Sequence, residues 1–94
     1  MTPWYDLGPA LTPAAAAALH DRREQVAWMV LPAPGRNGVI ARAHTFAADG
    51  GRYLPGHLTA DSLDELRAQR PPGLHVEQLC PGPSPPGCLE WWWT

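Results

Sequence analysis

From Val26 to Leu31 apolar residues follow one another without a polar break. Side chains alternate along a strand, so Val26, Trp28 and Val30 would take one face and Ala27, Met29 and Leu31 the other. Both sets are apolar, which predicts a strand covered on both sides at the centre of a sheet. A second strand is predicted over Val39–Phe46. Val39, Ala41, Ala43 and Thr45 would share one face, and Ile40, Arg42, His44 and Phe46 a partly wet one. Between the two, Pro32-Ala33-Pro34-Gly35-Arg36-Asn37-Gly38 reverses the chain, with Asn37-Gly38 tolerating positive φ.

On either side of this hairpin the pattern becomes helical. Thr12 can cap a helix by accepting from a free backbone N–H, and Pro13 suits the first helical position because it has no N–H to leave unpaired. Ala14–Ala18 repeats the best helix former five times. Leu11, Ala15, Ala18, Leu19 and Arg22 would line one side, with an end near Glu24. Further on, Ser62 and Glu65 have capping-box spacing. Asp61, Asp64 and Glu65 suit the positive end of that helix dipole, and Arg67 and Arg70 the negative end. Leu63 and Leu66 form its apolar stripe, and Pro71-Pro72-Gly73 ends it.

The remaining strands are shorter. Ala47-Ala48-Asp49-Gly50-Gly51 is a turn signal, after which Arg52-Tyr53-Leu54 reads as a short strand broken by Pro55-Gly56. Leu74–Leu79 and Leu89–Trp93 read as two more, separated by the proline-dense stretch from Cys80 to Cys88. Met1–Leu11 is an extended lead-in carrying Trp4 and Tyr5. The order α-β-β-(β)-α-β-β predicts a small single α+β domain over residues 1–94, with a mainly antiparallel sheet of four or five strands and two short helices.

Composition narrows the function classes. Ninety-four residues leave no room for two independent cores. The 12 prolines and 9 glycines assign a large share of the chain to loops. Net charge is −2, and the seven basic residues, all Arg, are scattered among nine acids, which disfavours a nucleic-acid partner. The N-terminus lacks the basic-then-apolar pattern of a secretory signal, and Ala14–Leu19 is too short to cross a bilayer. A cytoplasmic address and no membrane partner are therefore expected, with Cys80 and Cys88 as ordinary thiols. They flank the loop, so facing positions on paired strands would also make a disulfide geometrically possible.

No pattern rises to a reaction. Cys-x7-Cys is not a zinc-finger spacing, and a metal would need two further ligands, such as His75 with His20, His44 or His57. Ser62 is explained by capping, and Ser84 lies among prolines with no nucleophile elbow. Gly35-Arg36-Asn37-Gly38 lacks the Lys-Ser/Thr ending of a phosphate loop and does not open a helix. The chain is expected to be non-enzymatic, without catalytic or metal-binding residues and without a cofactor.

The tail Glu90-Trp91-Trp92-Trp93-Thr94 carries the sharpest expectation. On a strand, Trp91 and Trp93 would face one way and Trp92 the other, so at least one ring should be exposed or covered by a partner. Burying such a ring is worth roughly 2–3 kcal/mol, and tryptophan is prominent among interface anchors. Trp91, Trp92 and Trp93, with Trp4 and Tyr5, are thus the candidate partner-binding residues. The alternative places Trp92 inward and packs Trp91 and Trp93 under the proline loop or the Trp4-Tyr5 arm.

Gly50-Gly51-Arg52-Tyr53, then Gly56 to Thr59, then Asp61-Ser62-Leu63-Asp64-Glu65-Leu66, is similar to a passage in the HicB-like antitoxins, where a strand pair leads through a short turn into a capped acidic-leucine helix. The resemblance implies a small cytoplasmic α+β module that inactivates a partner by occluding it. Three function classes follow. The first is a protein-interaction module, inhibitor or antitoxin-like, that binds another protein. The second is a structural subunit that binds a second copy of itself. The third is a small metal-dependent enzyme or a peptide precursor with a modified tail.

Overall fold

A computed structural model describes residues 8–19, 25–35, 37–46, 52–80 and 87–93. The element order is α1 (Pro13–Ala18), β1 (Gln25–Pro32), β2 (Val39–Phe46), β3 (Arg52–Tyr53), β4 (Leu58–Ala60), α2 (Leu63–Ala68), β5 (His75–Glu77) and β6 (Glu90–Trp93). All strands pair antiparallel in one open sheet, in the order β3-β2-β1-β6-β5, with β4 also on β2. β3 and β4 lie end to end along the same side of β2, so five strand positions cross the sheet. This is the small α+β domain that the hydropathy pattern predicts.

β1 holds the centre, between β2 and β6, and its alternation divides the core in two. Val26, Trp28 and Val30 join Ala41, Ala43 and Trp92 beneath Ala16 of α1 and Leu66 of α2, with Leu54, Leu58 and Leu74 completing that layer. Ala27, Met29 and Leu31 join Ile40 and Trp91 on the opposite face, where Tyr53, Trp93 and both cysteines pack.

Arg42 corrects the expectation that this second face is partly wet on β2, whereas His44 is partly exposed as expected. Arg42 is buried, with its guanidinium 4.9 Å from the centre of the Tyr53 ring and Nη2 donating to the Leu54 carbonyl at 3.4 Å. His44 meets Tyr53 and Trp91 edge-on at 5.1 and 6.4 Å. The aromatic rings come from strands on both sides of β2 and β1, which alternation within β2 cannot show. Burial pulls the His44 pKa below 6.5. It pushes the Tyr53 hydroxyl up, against a smaller downward pull from Arg42.

Both helices start as their caps require. Thr12 Oγ1 accepts from the Ala15 N–H at 3.1 Å, and Ser62 Oγ from the Glu65 N–H at 3.2 Å. The side of α1 that faces the core differs from the expected stripe. Ala16 is the buried alanine, flanked by partly buried Leu11 and Leu19, while Ala15 and Ala18 are exposed. Leu11 sets this rotation by seating against Gly56, where an added Cβ would come within 2.6 Å of the leucine. The helix ends at Ala18 with Leu19 as its C-cap, short of the expected end near Glu24; the Ala47–Gly51 turn, Trp4 and Tyr5 lie outside the described residues.

In the β1–β2 connection Ala33 N–H donates to the Gly38 carbonyl at 3.0 Å. Gly38 has φ +107°, and a Cβ there would meet the Ala60 carbonyl oxygen at 2.6 Å. Only glycine lets β4 approach this corner. No helix of the described residues is long and apolar enough to cross a membrane.

Candidate protein-interaction surface

β6 threads between β1 and β5, and its alternation places the three tail tryptophans. Trp92 lies opposite Trp28 on β1 and Val76 on β5, on the helix-covered face. Its ring is fully buried, 6.5 Å from that of Trp28. Trp91 lies opposite Met29 and Glu77 and is buried on the other face. Trp93 shares that face opposite His75, half-buried, with ring centres 6.3 Å from Trp91 and 6.5 Å from His75. Two of the three tail rings are thus core within a single chain, which corrects Trp91 and Trp92 as partner-binding residues. The correction has a physical cause: β6 is an inner strand with both neighbours in place, so each face already has a layer to receive a ring. Trp93 alone among the described candidates reaches the surface.

The strand also carries a residue that sequence reasoning overlooked. Glu90 shares the helix-covered face with Trp92 and is 1% exposed. A buried carboxylate needs partners, and it has two. Arg67 of α2 grips it with Nε at 3.1 Å from both oxygens and Nη2 at 2.5 Å from Oε1, while the Trp92 indole N–H donates to Oε2 at 2.6 Å. Burial, the largest single influence, would raise the Glu90 pKa. The hydrogen bonds from Arg67 and Trp92, with the positive charges of Arg67 and Arg70, outweigh it and hold the carboxyl below 4.5. The same contact raises the Arg67 pKa. Arg67 therefore does more than complement a helix end. It ties α2 to the tail strand, and the available signal was an acid at an inward position of an apolar strand.

The β5–β6 register continues past the strand ends. His75, Val76 and Glu77 face Trp93, Trp92 and Trp91. Counting on, Leu79 falls at the level of Leu89, and Cys80 at the level of Cys88. The cysteines are joined in a disulfide with Cα atoms 6.4 Å apart. The expected pair of free thiols is thus replaced by a bridge, because the register brings the two residues opposite each other. Residues 81–86 between them lie outside the described residues. Next to the bridge stand the two large exposed apolar side chains of the described residues, Leu79 at 80% and Leu89 at 42%.

The two edges of the sheet differ. Along β4, the His57 N–H donates to the Pro9 carbonyl at 3.0 Å and the Leu11 N–H to the His57 carbonyl at 2.7 Å. Gln69 Nε2 donates to the Thr59 carbonyl at 2.9 Å. There, from His57 to Thr59, the chain's own N-terminal segment and α2 cover the β4 part of the edge, while among the described residues no strand lies outside the two-residue β3. β5 ends the strand order, and among the described residues no strand lies on its outer side.

The acids and histidines of the described residues do not converge. Among the described residues no three His, Cys, Asp or Glu side chains are grouped to hold a metal ion. What the arrangement offers is a short open strand edge beside an apolar pair and a half-buried indole, a surface suited to main-chain and apolar contact. Comparison with family models, with curated proteins and with solved structures gave no match, so the HicB-like passage remains a local likeness of one strand–turn–helix.

Proposed function

We propose that this chain is a non-enzymatic protein-interaction module that docks a partner protein along β5, with Leu79, Leu89 and Trp93 as the apolar part of the contact. The observation that carries this is the asymmetry of the sheet. The β4 part of one edge is closed by residues 9–11 and Gln69, and β3 beside it is two residues long, whereas β5, with no described strand outside it, presents backbone hydrogen-bonding groups beside two exposed leucines. Strand addition uses such an edge for affinity and the flanking side chains for selectivity. Occlusion of the partner, the inhibitor or antitoxin-like mode implied by the HicB-like passage, is the action such a contact supports.

A photo-crosslinking residue at position 79, in the full chain expressed in its own host, tests the surface. Position 64 on the exposed side of α2 is the control. Cross-linked protein adducts are expected from position 79 and not from position 64. Equal yields at the two positions would refute the assignment.

A further inference from the structure

Resting on that surface, we propose that the partner docked on β5 is a second copy of this chain, paired antiparallel about a two-fold axis at Val76. The outer strand reads His75-Val76-Glu77. In an antiparallel pair centred on Val76, His75 of each copy faces Glu77 of the other, and the two valines face each other. A two-fold interface must be self-complementary, since residue i meets j and j meets i. An imidazole–apolar–carboxylate triplet satisfies this twice over, because each His75 ring can donate a hydrogen bond to the Glu77 carboxylate directly across the strand pair. A foreign strand would have to supply the same order of residues; this chain already carries it.

The surroundings fit the same geometry. His75 is exposed, and Val76 and Glu77 are partly so. Glu77 Oε1 accepts from the Leu79 N–H at 3.2 Å, which orients the carboxylate and leaves Oε2 for an outside donor. On the His75 and Glu77 face, β6 puts the Trp93 and Trp91 rings beside the two side chains, on the flank away from the second copy. On the other face Val76 belongs to the margin of the core. On the opposite side of the sheet residues 9–11 and Gln69 occupy the β4 part of the edge, and β3 beside it is only two residues long. A three-residue edge makes a small interface, which places the pair among weak, transient associations.

Sedimentation equilibrium of the full chain over roughly 1 µM to 1 mM reads this out. The wild-type mass is expected to rise from 10.2 kDa toward twice that value. His75→Glu puts Glu against Glu, and Glu77→Lys puts Lys against His. Each is expected to weaken the dimer about tenfold or more, with circular dichroism melting unchanged. The double variant His75→Glu/Glu77→Lys sets opposite charges across the two-fold register and returns the dimer. Independently of any variant, a filtered nuclear Overhauser contact between Val76 methyl groups of labelled and unlabelled wild-type copies is expected. A wild-type chain that stays at 10.2 kDa throughout, single variants that dimerise normally, or a double variant that stays monomeric would each overturn the pairing. A monomeric chain that still cross-links another protein from position 79 would overturn only this inference, leaving the docking surface in place. Loss of both results would remove both.

Discussion

Replacing Arg67 with methionine keeps most of the side-chain stem packed but removes the charge that faces Glu90. The carboxylate then stays 99% enclosed with only the Trp92 N–H as a close partner. Breaking a fully buried ion pair from one side costs about 3–5 kcal/mol. Arg67 is 31% exposed, so water can replace part of the guanidinium, and the lower figure of roughly 2–3 kcal/mol applies. For a chain of this length that lowers Tm by about 10 °C or more. The pH dependence identifies the mechanism. In the wild type Glu90 has a depressed pKa, so its contribution is present above the ordinary value of 4.5 and is lost as pH falls through the lower folded value. In Arg67→Met the folded pKa is raised instead. Stability is then fully present below 4.5 and is lost as pH rises, so the gap between the two proteins narrows in acid. Urea unfolding at several pH values, with Glu90→Gln and the double variant completing a cycle, measures this coupling. A loss under 0.5 kcal/mol that does not change with pH would refute the buried pair.

Three further outcomes follow from the packing. Trp91→Ser should lower stability by roughly 3 kcal/mol because it empties a filled site, whereas Trp93→Ser should cost about 1 kcal/mol or less because its ring is already partly wet; equal losses in denaturant titration would contradict the assignment of Trp91 to the core. His44, whose pKa is lowered by burial, contributes stability that is complete above 6.5 and declines as pH falls through the window below it. His44→Gln should flatten that part of the stability curve, and an unchanged slope would count against desolvation of the half-buried imidazole. Cys88→Ser opens a loop of sequence separation 8 and should cost about 2.5 kcal/mol by loop entropy. The intact mass of the host-isolated chain, before and after alkylation, reports whether the bridge forms there, and a fully alkylated pair would match the thiols expected of a cytoplasmic address.

Much of the architecture was legible because local signals agree with one another. The unbroken run at Val26–Leu31 marks the central strand, the Thr12 and Ser62 caps mark the helix starts, and strict alternation correctly separates Trp92 from Trp91 and Trp93. β4 is missing from the elements that the hydropathy pattern predicts. At three residues it is too short to show a period, and only its pairing with β2 makes it a strand. The candidate site was misjudged at Trp91 and Trp92. The sequence shows which way a ring points but not that β6 sits between two strands, and strand order decides whether either face is open. The Arg67–Glu90 pair spans 23 positions, and the Cys80–Cys88 bridge depends on a shared register. Both are products of topology rather than of spacing.

The most direct test of the open edge is amide hydrogen exchange in the full chain, compared between sub-micromolar and near-millimolar solutions. The outward amides of His75–Glu77 should exchange fast in the dilute chain while β1 and β2 stay protected, and should slow on concentration while the other strands hold constant. Strong and equal protection of β5 at both concentrations would mean that the chain covers this edge itself, and would contradict its assignment as the docking surface.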